Sequence, residues 1–522
     1  MPDNKLAKSS ETTVTASSYD DINKLEQTSN LEDEDNYYGI VITEVHNDPE
    51  AAVDSTAADE RFVTRARRMH PVRKYIITGL LALCAFQVTC LSTVWSQAIP
   101  DVADVHNISK TIATLGVTLF IVGQGAGPLA FSPLSERYGR KPIYLVGLSL
   151  YCLFQLLTSF GTHLAVMLVG RFFSGLSGGV FLTVISGTFS DMFDRESMGI
   201  PTLIFSIAPF LGPGVGPIIG GSIGEAFGYR WIFVFMLLWS TLLLILVGLI
   251  VPETSARALS TKLDRMKRRA AEKATGEVTP LSVKFRDACT NARQTIVVIA
   301  KSPRKPLTML ATDPIIFSTS LLSGVFLATI YLFFVAFPLI FEGLYGMTPL
   351  ATSATYLCIT AGMLLTVPTF PFWAYVQARL VRAADDVEKP EHRLPQMLAG
   401  TVFAAVGLLI FALTIGRNAS IAGPLVAAGI FGFGALHVFN SVFAYIFAST
   451  PADSAASASA CNLFCRSSMA GVFPLFGQAL FTSPELGLRG SCFLLAGIVA
   501  ALSSVPIGLY IYGPKLRQKQ SY

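Results

Sequence analysis

The chain has 522 residues, of which 52% are hydrophobic and only 14% are charged. A soluble protein carries charge on about a quarter of its residues, so this composition excludes a set of water-soluble domains and indicates a polytopic membrane protein. The formal net charge of +4 is small, and its distribution along the chain is more informative than its sum. The eight cysteines are scattered without a CxxC pair, which argues against a metal site or a disulfide framework.

Residues 1–70 differ in composition from the rest of the chain. The segment is polar and acidic, as in KSSETTVTASSYDDINKLEQTSNLEDEDNYYG, and has too few large apolar side chains to form a core. It also lacks the apolar stretch of a secretory signal peptide. We expect a disordered cytosolic tail with a regulatory role.

Twelve apolar runs follow, each long enough to cross a membrane, which requires roughly 20 helical residues. Single spans of this kind are helical because lipid offers no partners for backbone amides. The predicted limits of spans 1–12 are 75–98, 112–132, 142–160, 164–189, 199–223, 231–251, 312–340, 349–375, 396–416, 421–449, 456–481 and 491–512.

A polar linker, residues 252–308, separates the first six spans from the last six. It divides the chain into an N-terminal six-helix bundle over 71–251 and a C-terminal bundle over 309–513, followed by a short tail at 514–522. We therefore predict an all-α polytopic membrane protein, with twelve transmembrane helices in two six-helix bundles around a central cavity.

Lys and Arg residues are concentrated in alternate loops. They cluster before span 1, between spans 2 and 3, in the middle linker, after span 8 and at the C-terminus. Because cytosolic loops are enriched in Lys and Arg, both termini and the linker are predicted to be cytosolic. Asn107 then lies in an outer loop, where Asn107-Ile108-Ser109 is a candidate glycosylation site.

The short connection between spans 2 and 3 has the sequence SPLSERYGRKP, residues 132–142, and is dense in charge. Its side chains can form ion pairs with neighbouring helix ends, which would make the loop a gate. The alternative is an ordinary positive-inside anchor. The candidate gating residues are Glu136, Arg137, Gly139, Arg140 and Lys141.

Span 5 contains FLGPGVGPIIGG, residues 210–221, an unusual run of glycine and proline within an apolar helix. Gly212, Gly216 and Gly220 recur every four residues and form a flat stripe, which permits close helix contact in lipid. Pro213 and Pro217 remove backbone donors and favour a bend. We expect the stripe to pack tightly against a helix of the other bundle, either as part of the transport mechanism or as a packing face alone.

Several polar residues lie within the predicted spans. Arg171 in span 4 requires a partner, water or snorkelling to the headgroups, because an unpaired arginine in a span is unfavourable by at least about 2.5–3.5 kcal/mol. Arg466 in span 11 either faces the cavity or binds backbone carbonyls. No Asp or Glu lies deep in any predicted span. Other candidates for the substrate cavity are Gln87, Gln124, Gln155, Tyr331, Tyr356, His437 and Asn440, and packing is the alternative role for each.

The chain resembles the major facilitator superfamily in three motifs. SPLSERYGRKP is similar to its loop signature, VGRFFSGLSGG to its span-4 signature and GPGVGPIIGG to its antiporter signature in span 5. Further motifs resemble the fungal drug:proton antiporters with twelve spans: SGTFSDMF, GYRWIF, VPET, FPLIFEGLYGMTP, SASACNLFCRSSMAGVFPLFG and YGPKLR. The likeness covers residues 70–517 and departs at Ser132 and Glu136, where the family usually has Gly and Asp.

The resemblance implies roles for some of these residues. Glu136 would face the start of span 11 near 453–457, and Arg140 would pair with Asp191 or Asp194 at the end of span 4, so that these contacts hold one side of the carrier shut. Arg171 would couple transport to proton movement, and the span-5 motif would mark an exchanger.

The predicted function is export of small amphipathic or cationic organic compounds, such as drugs, toxins, secondary metabolites or polyamines, by proton antiport with alternating access. The alternatives are a proton-coupled uptake carrier or facilitator, and a non-transporting nutrient sensor on a transporter scaffold. The chain lacks a phosphate-binding GxxxxGK[ST] loop and an HExxH motif, so we expect no enzyme activity and no cofactor. The expected partners are a small-molecule substrate, protons and the lipid bilayer, without nucleic acid. We expect a working monomer in the plasma membrane, with the vacuolar membrane as the alternative.

Overall fold

The computed structural model describes residues 66–194, 197–256, 258–261, 303–384, 389–416 and 419–518, without the side chains of residues 452, 453, 455 and 456. Within these residues all regular secondary structure is helical. Most of the predicted tail at 1–70 and most of the linker at 252–308 lie outside the described residues, as does the end of the 514–522 tail.

Eleven of the described helical segments have the length and apolar composition of membrane spans. They are span 1 Pro71–His106, span 2 Lys110–Tyr138, span 3 Arg140–Phe160, span 4 Leu164–Met192, span 5 Gly199–Phe227, span 6 Tyr229–Ile250, span 7 Pro314–Glu342, span 8 Pro349–Arg382, span 9 Pro390–Thr414, span 10 Ala422–Ser449 and span 12 Gly487–Arg517. Span 11 is the 30-residue helix Ala452–Phe481, whose first half is rich in serine and alanine and therefore less apolar. The twelve predicted spans are confirmed, and most extend beyond their predicted limits.

Three spans contain irregular helix where the sequence places helix-breaking residues. Span 4 passes through a 3-10 turn at Gly179–Leu182. Span 7 ends in the π-helical turn Pro338–Glu342. Span 8 is interrupted after Leu364 by the 3-10 turn Val367–Thr369 before a second helix, Phe370–Arg382. Proline and glycine remove helical hydrogen bonds or favour local unwinding, so these breaks follow from local sequence.

Each half of the chain packs as a bundle. In the first half, span 1 packs on span 5 and span 4 packs on spans 2 and 3, while span 6 packs on span 3. In the second half, span 7 packs on span 11 and span 10 packs on spans 8 and 9, while span 12 packs on span 9. The two bundles meet mainly where span 2 lies against span 11 and span 5 lies against span 8.

The alternating direction of the spans places the arginine-rich connections at one end of the bundles, hereafter the basic end. At this end span 3 begins beside the end of span 2, and Gly139 makes the turn with a φ of 100°, a conformation that favours glycine. A short helix, Arg304–Thr312, precedes span 7 at the same end, and Arg517 of span 12 pairs there with Glu391. The basic end therefore carries the predicted gating loop.

Candidate transport site

Arg171 lies fully buried in span 4 and is held by backbone carbonyls of two other spans. Its Nη1 donates to Leu91 O at 2.9 Å, its Nη2 to Ser92 O at 3.2 Å, and its Nε to Gly116 O at 3.0 Å. The guanidinium lies 4.3 Å from the ring centroid of Phe120, which adds a cation–π contact. Within the described residues no carboxylate lies within ion-pair distance of Arg171. The side chain thus ties spans 1, 2 and 4 together and does not snorkel.

A hydrogen bond beside Arg171 connects the two bundles. Ser92 donates its hydroxyl to Thr89 O at 2.6 Å, so it accepts from the Tyr331 hydroxyl of span 7, 2.7 Å away. Tyr331 is buried and lies near enough to interact electrostatically with both Arg171 and Arg466. Tyr331 is thus a predicted cavity residue that contacts the same serine as the predicted proton-coupling arginine.

Arg466 is the fifteenth residue of the 30-residue helix of span 11 and is 6% exposed. Its guanidinium carbon lies 5.7 Å from the ring centroids of Phe210 and Phe439 and 4.8 Å from that of Phe443. Among the described residues, its Nε and Nη1 are buried and have no hydrogen-bond partner. Arg466 therefore does not bind backbone carbonyls through these two nitrogens, and it faces a group of aromatic rings.

The predicted glycine stripe of span 5 packs on span 1 and not on the other bundle. An added Cβ at Gly216 would lie 2.8 Å from Cys90 O, one at Gly220 would lie 3.1 Å from Gln97 Cγ, and one at Gly212 would overlap Thr89. The prediction of a partner in the other bundle was therefore wrong, because a four-residue period defines one helix face but not the neighbour that meets it. Pro213 and Pro217 are buried in the same helix, which continues without a break from Gly199 to Phe227.

The opposite face of span 5 makes the contact between bundles. An added Cβ at Gly214 would lie 3.1 Å from Tyr356 O and would overlap the Thr360 hydroxyl, and one at Gly221 would lie 2.7 Å from Ser353 Oγ. Spans 2 and 11 also meet through small residues and share a hydrogen bond from Thr118 Oγ1 to Gly471 O at 2.7 Å. Small residues let backbones approach closely in lipid, so the bundles meet along tight seams.

The loop between spans 2 and 3 is held by two carboxylates. Arg140 Nε lies 3.4 Å from Asp191 Oδ2, which is the pair that the family resemblance implies. Glu253, just after span 6, accepts from the backbone amides of Arg140 at 2.8 Å and Lys141 at 3.2 Å and so caps span 3. Sequence reasoning missed Glu253, although it belongs to the VPET motif.

The remaining gating predictions concern Glu136, Arg137 and Asp194. Glu136 is exposed. Its predicted contact near 453–457 involves a segment where most side chains lie outside the described residues, and it stays a prediction. Arg137 lies over the ring of Tyr138, with its guanidinium carbon 5.6 Å from the ring centroid. Asp194 pairs with Arg67 at 3.1 Å and not with Arg140. These contacts of Arg137 and Asp194 lie within the N-terminal bundle.

Two predicted cavity glutamines lie inside the N-terminal bundle. Gln87 donates to Ser240 Oγ at 2.8 Å and accepts from Tyr151, and Gln155 also donates to Ser240 Oγ at 2.8 Å. The structure thus places Gln87 and Gln155 in a polar cluster among spans 1, 3 and 6, away from Tyr331. Gln124 of span 2 is buried, and its Nε2 has no partner among the described residues.

Tyr356, His437 and Asn440 lie in the C-terminal bundle. Tyr356 is buried between spans 7 and 8, stacked on aromatic rings of span 7. His437 contacts Thr369 Oγ1 through Nε2 at 3.2 Å and Gln396 Nε2 through Nδ1 at 3.1 Å, beside the break in span 8. Asn440 is half-buried on span 10. Within the described residues, neither Tyr356 nor His437 forms a hydrogen bond with Arg171 or Tyr331.

Asn107 is exposed in the short connection between spans 1 and 2, at the opposite end from the basic end. It caps span 1 in the left-handed conformation with a φ of 50°, which asparagine tolerates. The glycosylation of this asparagine stays a prediction.

Residues 80–474 match the family model of the Major Facilitator Superfamily. The chain is 34% identical over 461 residues to "Probable drug/proton antiporter YHK8" of Saccharomyces cerevisiae, which covers 88% of this chain and 87% of the yeast protein. It is 34% identical to "Efflux pump atB" of Aspergillus terreus over 76% of this chain and 83% of that protein. Among solved structures, a POT family transporter in complex with 5-aminolevulinic acid has a TM-score of 0.58 at 14% identity, with 84% of this chain and 96% of that chain covered.

Proposed function

Because the chain belongs to the major facilitator superfamily, we propose that it is a secondary active transporter that exports small amphipathic organic compounds in exchange for protons. The relatives named as a drug/proton antiporter and an efflux pump support this direction and this coupling. The cargo would bind between the two bundles, which rock to expose it first to one side of the membrane and then to the other.

The arrangement of Arg171 is the observation that carries the proposal. A permanently charged side chain with no carboxylate partner among the described residues is rare within a membrane span, and such residues are usually functional. Arg171 holds the carbonyl of Ser92, and the hydroxyl of Ser92 binds Tyr331 of the other bundle. A proton or water that enters beside Arg171 would change this junction and so affect the relative stability of the two access states.

We also propose the membrane orientation and the surrounding organisation. The basic end would face the cytosol, with both termini and the linker 252–308 on that side. The Arg140–Asp191 pair and the Glu253 cap would then hold the cytosolic end of span 3. The plasma membrane is the proposed location, and a monomer would be sufficient because the site lies within one chain.

A growth screen followed by a transport assay tests this function. Cells that lack their own drug pumps would express the chain and be exposed to a panel of toxic compounds, with intracellular accumulation measured for each hit. The best hit would then be followed in proteoliposomes with an imposed pH gradient. We expect lower accumulation in cells and flux that stops when the gradient is collapsed. Flux that is unaffected by the gradient would reject antiport, and higher accumulation would indicate uptake.

The Arg171→Gln variant tests the coupling, and Arg230→Gln is its matched control. Glutamine removes the charge and leaves at least one of the three carbonyl contacts unmade, so gradient-driven flux should be lost. Arg230→Gln removes an exposed arginine at the opposite end and should transport like the wild type.

A further inference from the structure

Arg466 and Arg171 are both buried arginines, but their surroundings differ in one decisive respect. All three nitrogens of Arg171 donate to backbone carbonyls. In Arg466, Nε and Nη1 are buried and have no acceptor among the described residues. Each side-chain nitrogen of Arg171 therefore has a hydrogen-bond acceptor, whereas two side-chain nitrogens of Arg466 remain available to a ligand.

An unmatched guanidinium in the middle of a span is unfavourable unless an acceptor completes it. An unpaired charge in the middle of a span is unfavourable. Each phenylalanine face contributes cation–π attraction, but a ring face does not satisfy an N–H donor. The missing component is an oxygen acceptor, and a carboxylate matches the planar guanidinium in geometry and charge.

The rings around Arg466 come from both bundles. Phe210 belongs to span 5, and it stacks on Phe439 of span 10 with ring centroids 4.5 Å apart. Phe443 lies one turn further along span 10 and is half-buried. A ligand at Arg466 would therefore contact the N-terminal and the C-terminal bundle together, which is the position that a carrier's cargo occupies. The rings offer an apolar surface to the hydrocarbon part of such a ligand.

The distribution of charge in the described spans also favours an anionic ligand. The acidic side chains of the described spans lie within the first or last two turns, as Asp101, Asp191 and Glu342 do. The middle of the bundles carries Arg171 and Arg466 without a described carboxylate to compensate them. Such a field attracts an anion and repels an organic cation.

We propose that Arg466, with Phe210, Phe439 and Phe443, binds the carboxylate of an amphipathic organic acid, so that the cargo of this transporter is a monoanionic carboxylic acid with an apolar body. The proposal rests on the proposed export function and narrows its substrate class. Arg466 binds the carboxylate through its free N–H donors, and the three rings hold the apolar part. A permanent cation of the same size is excluded by the two arginines.

Three small molecules of similar size and with the same phenylbutyl body test the effect of charge on binding. They are 4-phenylbutanoate, 4-phenylbutanamide and 4-phenylbutylamine, which are anionic, neutral and cationic at pH 7. Their affinities for the purified full-length chain would be measured by calorimetry in detergent without a pH gradient. We expect the acid to bind about ten-fold more tightly than the amide, because a hydrogen bond between a charged donor and a charged acceptor is stronger than one to a neutral carbonyl. The amine should bind most weakly.

Substitutions then test whether Arg466 causes the preference for the acid. Arg466→Gln should lower the affinity for the acid to that for the amide, and Arg466→Lys should retain part of the preference because it keeps the charge. Arg230→Gln, which removes an exposed arginine, should leave all three affinities unchanged. Thermal melting and gel filtration check that each variant is folded, and the wild-type order of affinities decides the proposal even if Arg466→Gln does not fold.

Two results would overturn the inference: a wild-type protein that binds the amine as well as the acid, or an acid preference that persists in folded Arg466→Gln. The binding assay uses no proton gradient, so either result would leave proton-driven export standing. Conversely, flux that ignores the pH gradient would reject antiport without altering the measured affinities.

Discussion

Gly214→Ala is expected to weaken the seam between spans 5 and 8 and to slow transport. The added Cβ would lie 2.9 Å from Thr360 Cβ and 3.1 Å from Tyr356 O and would overlap the Thr360 hydroxyl. Tyr356 O belongs to helical backbone, which cannot move away alone. The two spans must therefore separate slightly in the state that the structure shows.

Two opposing terms set the size of this effect. Alanine is favoured over glycine within a helix by about 0.8–1.0 kcal/mol. Overpacking a close contact is unfavourable by about 1–3 kcal/mol. The second term is the larger, so the seam weakens by up to about 2 kcal/mol, which changes a two-state equilibrium by as much as roughly 30-fold. The balance between the two access states then shifts away from this one.

The initial rate of gradient-driven export from proteoliposomes measures the effect, with thermal melting as the check on folding. Adding Thr360→Ala removes the obstructing hydroxyl and should restore much of the lost rate. Gly248→Ala is the matched control, because its added Cβ would lie 3.6 Å from Leu145 Cδ2, an ordinary contact. A Gly214→Ala protein that exports at the wild-type rate would refute the reasoning.

Three further substitutions probe other parts of the structure. Arg171→Lys keeps the charge but cannot reach the three carbonyls together, so export should fall at least about ten-fold; export near the wild-type rate would show that charge alone suffices. Tyr331→Phe removes the hydrogen bond to Ser92, which contributes about 1 kcal/mol. The export rate should therefore change by about five-fold, while the cargo affinity measured in detergent stays the same within error. Glu253→Gln weakens the cap on span 3 by about 1 kcal/mol and should lower the melting temperature without changing cargo affinity; an unchanged melting temperature would remove its structural role.

The sequence was sufficient to predict the twelve spans, because a 20-residue apolar run in lipid has few alternatives to a helix. It was less informative about helix ends. Span 1 was predicted to end at 98 and continues to His106, because its final turns extend past the apolar run. The break in span 8 has a local signal in TVPTFP, residues 366–371, but the prediction treated this span as continuous.

The contacts of the candidate site could not be predicted from one sequence. The carbonyls that hold Arg171 belong to spans 1 and 2, and any carbonyl in the chain is an equivalent candidate before folding. Gln87 illustrates the same limit: a polar residue in a span predicts a buried hydrogen bond, and only the packing of spans 3 and 6 shows where its partner lies. The sequence indicated which side chains need partners, and the tertiary structure supplied the partners.

The interruption of span 8 divides it into two segments with different mechanical surroundings. The segment before Leu364 packs tightly against span 5. The segment Phe370–Arg382 packs more loosely, because none of its side chains is fully buried. His437 and Gln396 brace the elbow between the two segments. The outer segment is about 20 Å long, so a tilt of about ten degrees at the elbow would displace its tip by about 3 Å. Such a tilt would move the basic end of span 8 while the tight seam between spans 5 and 8 remains in place.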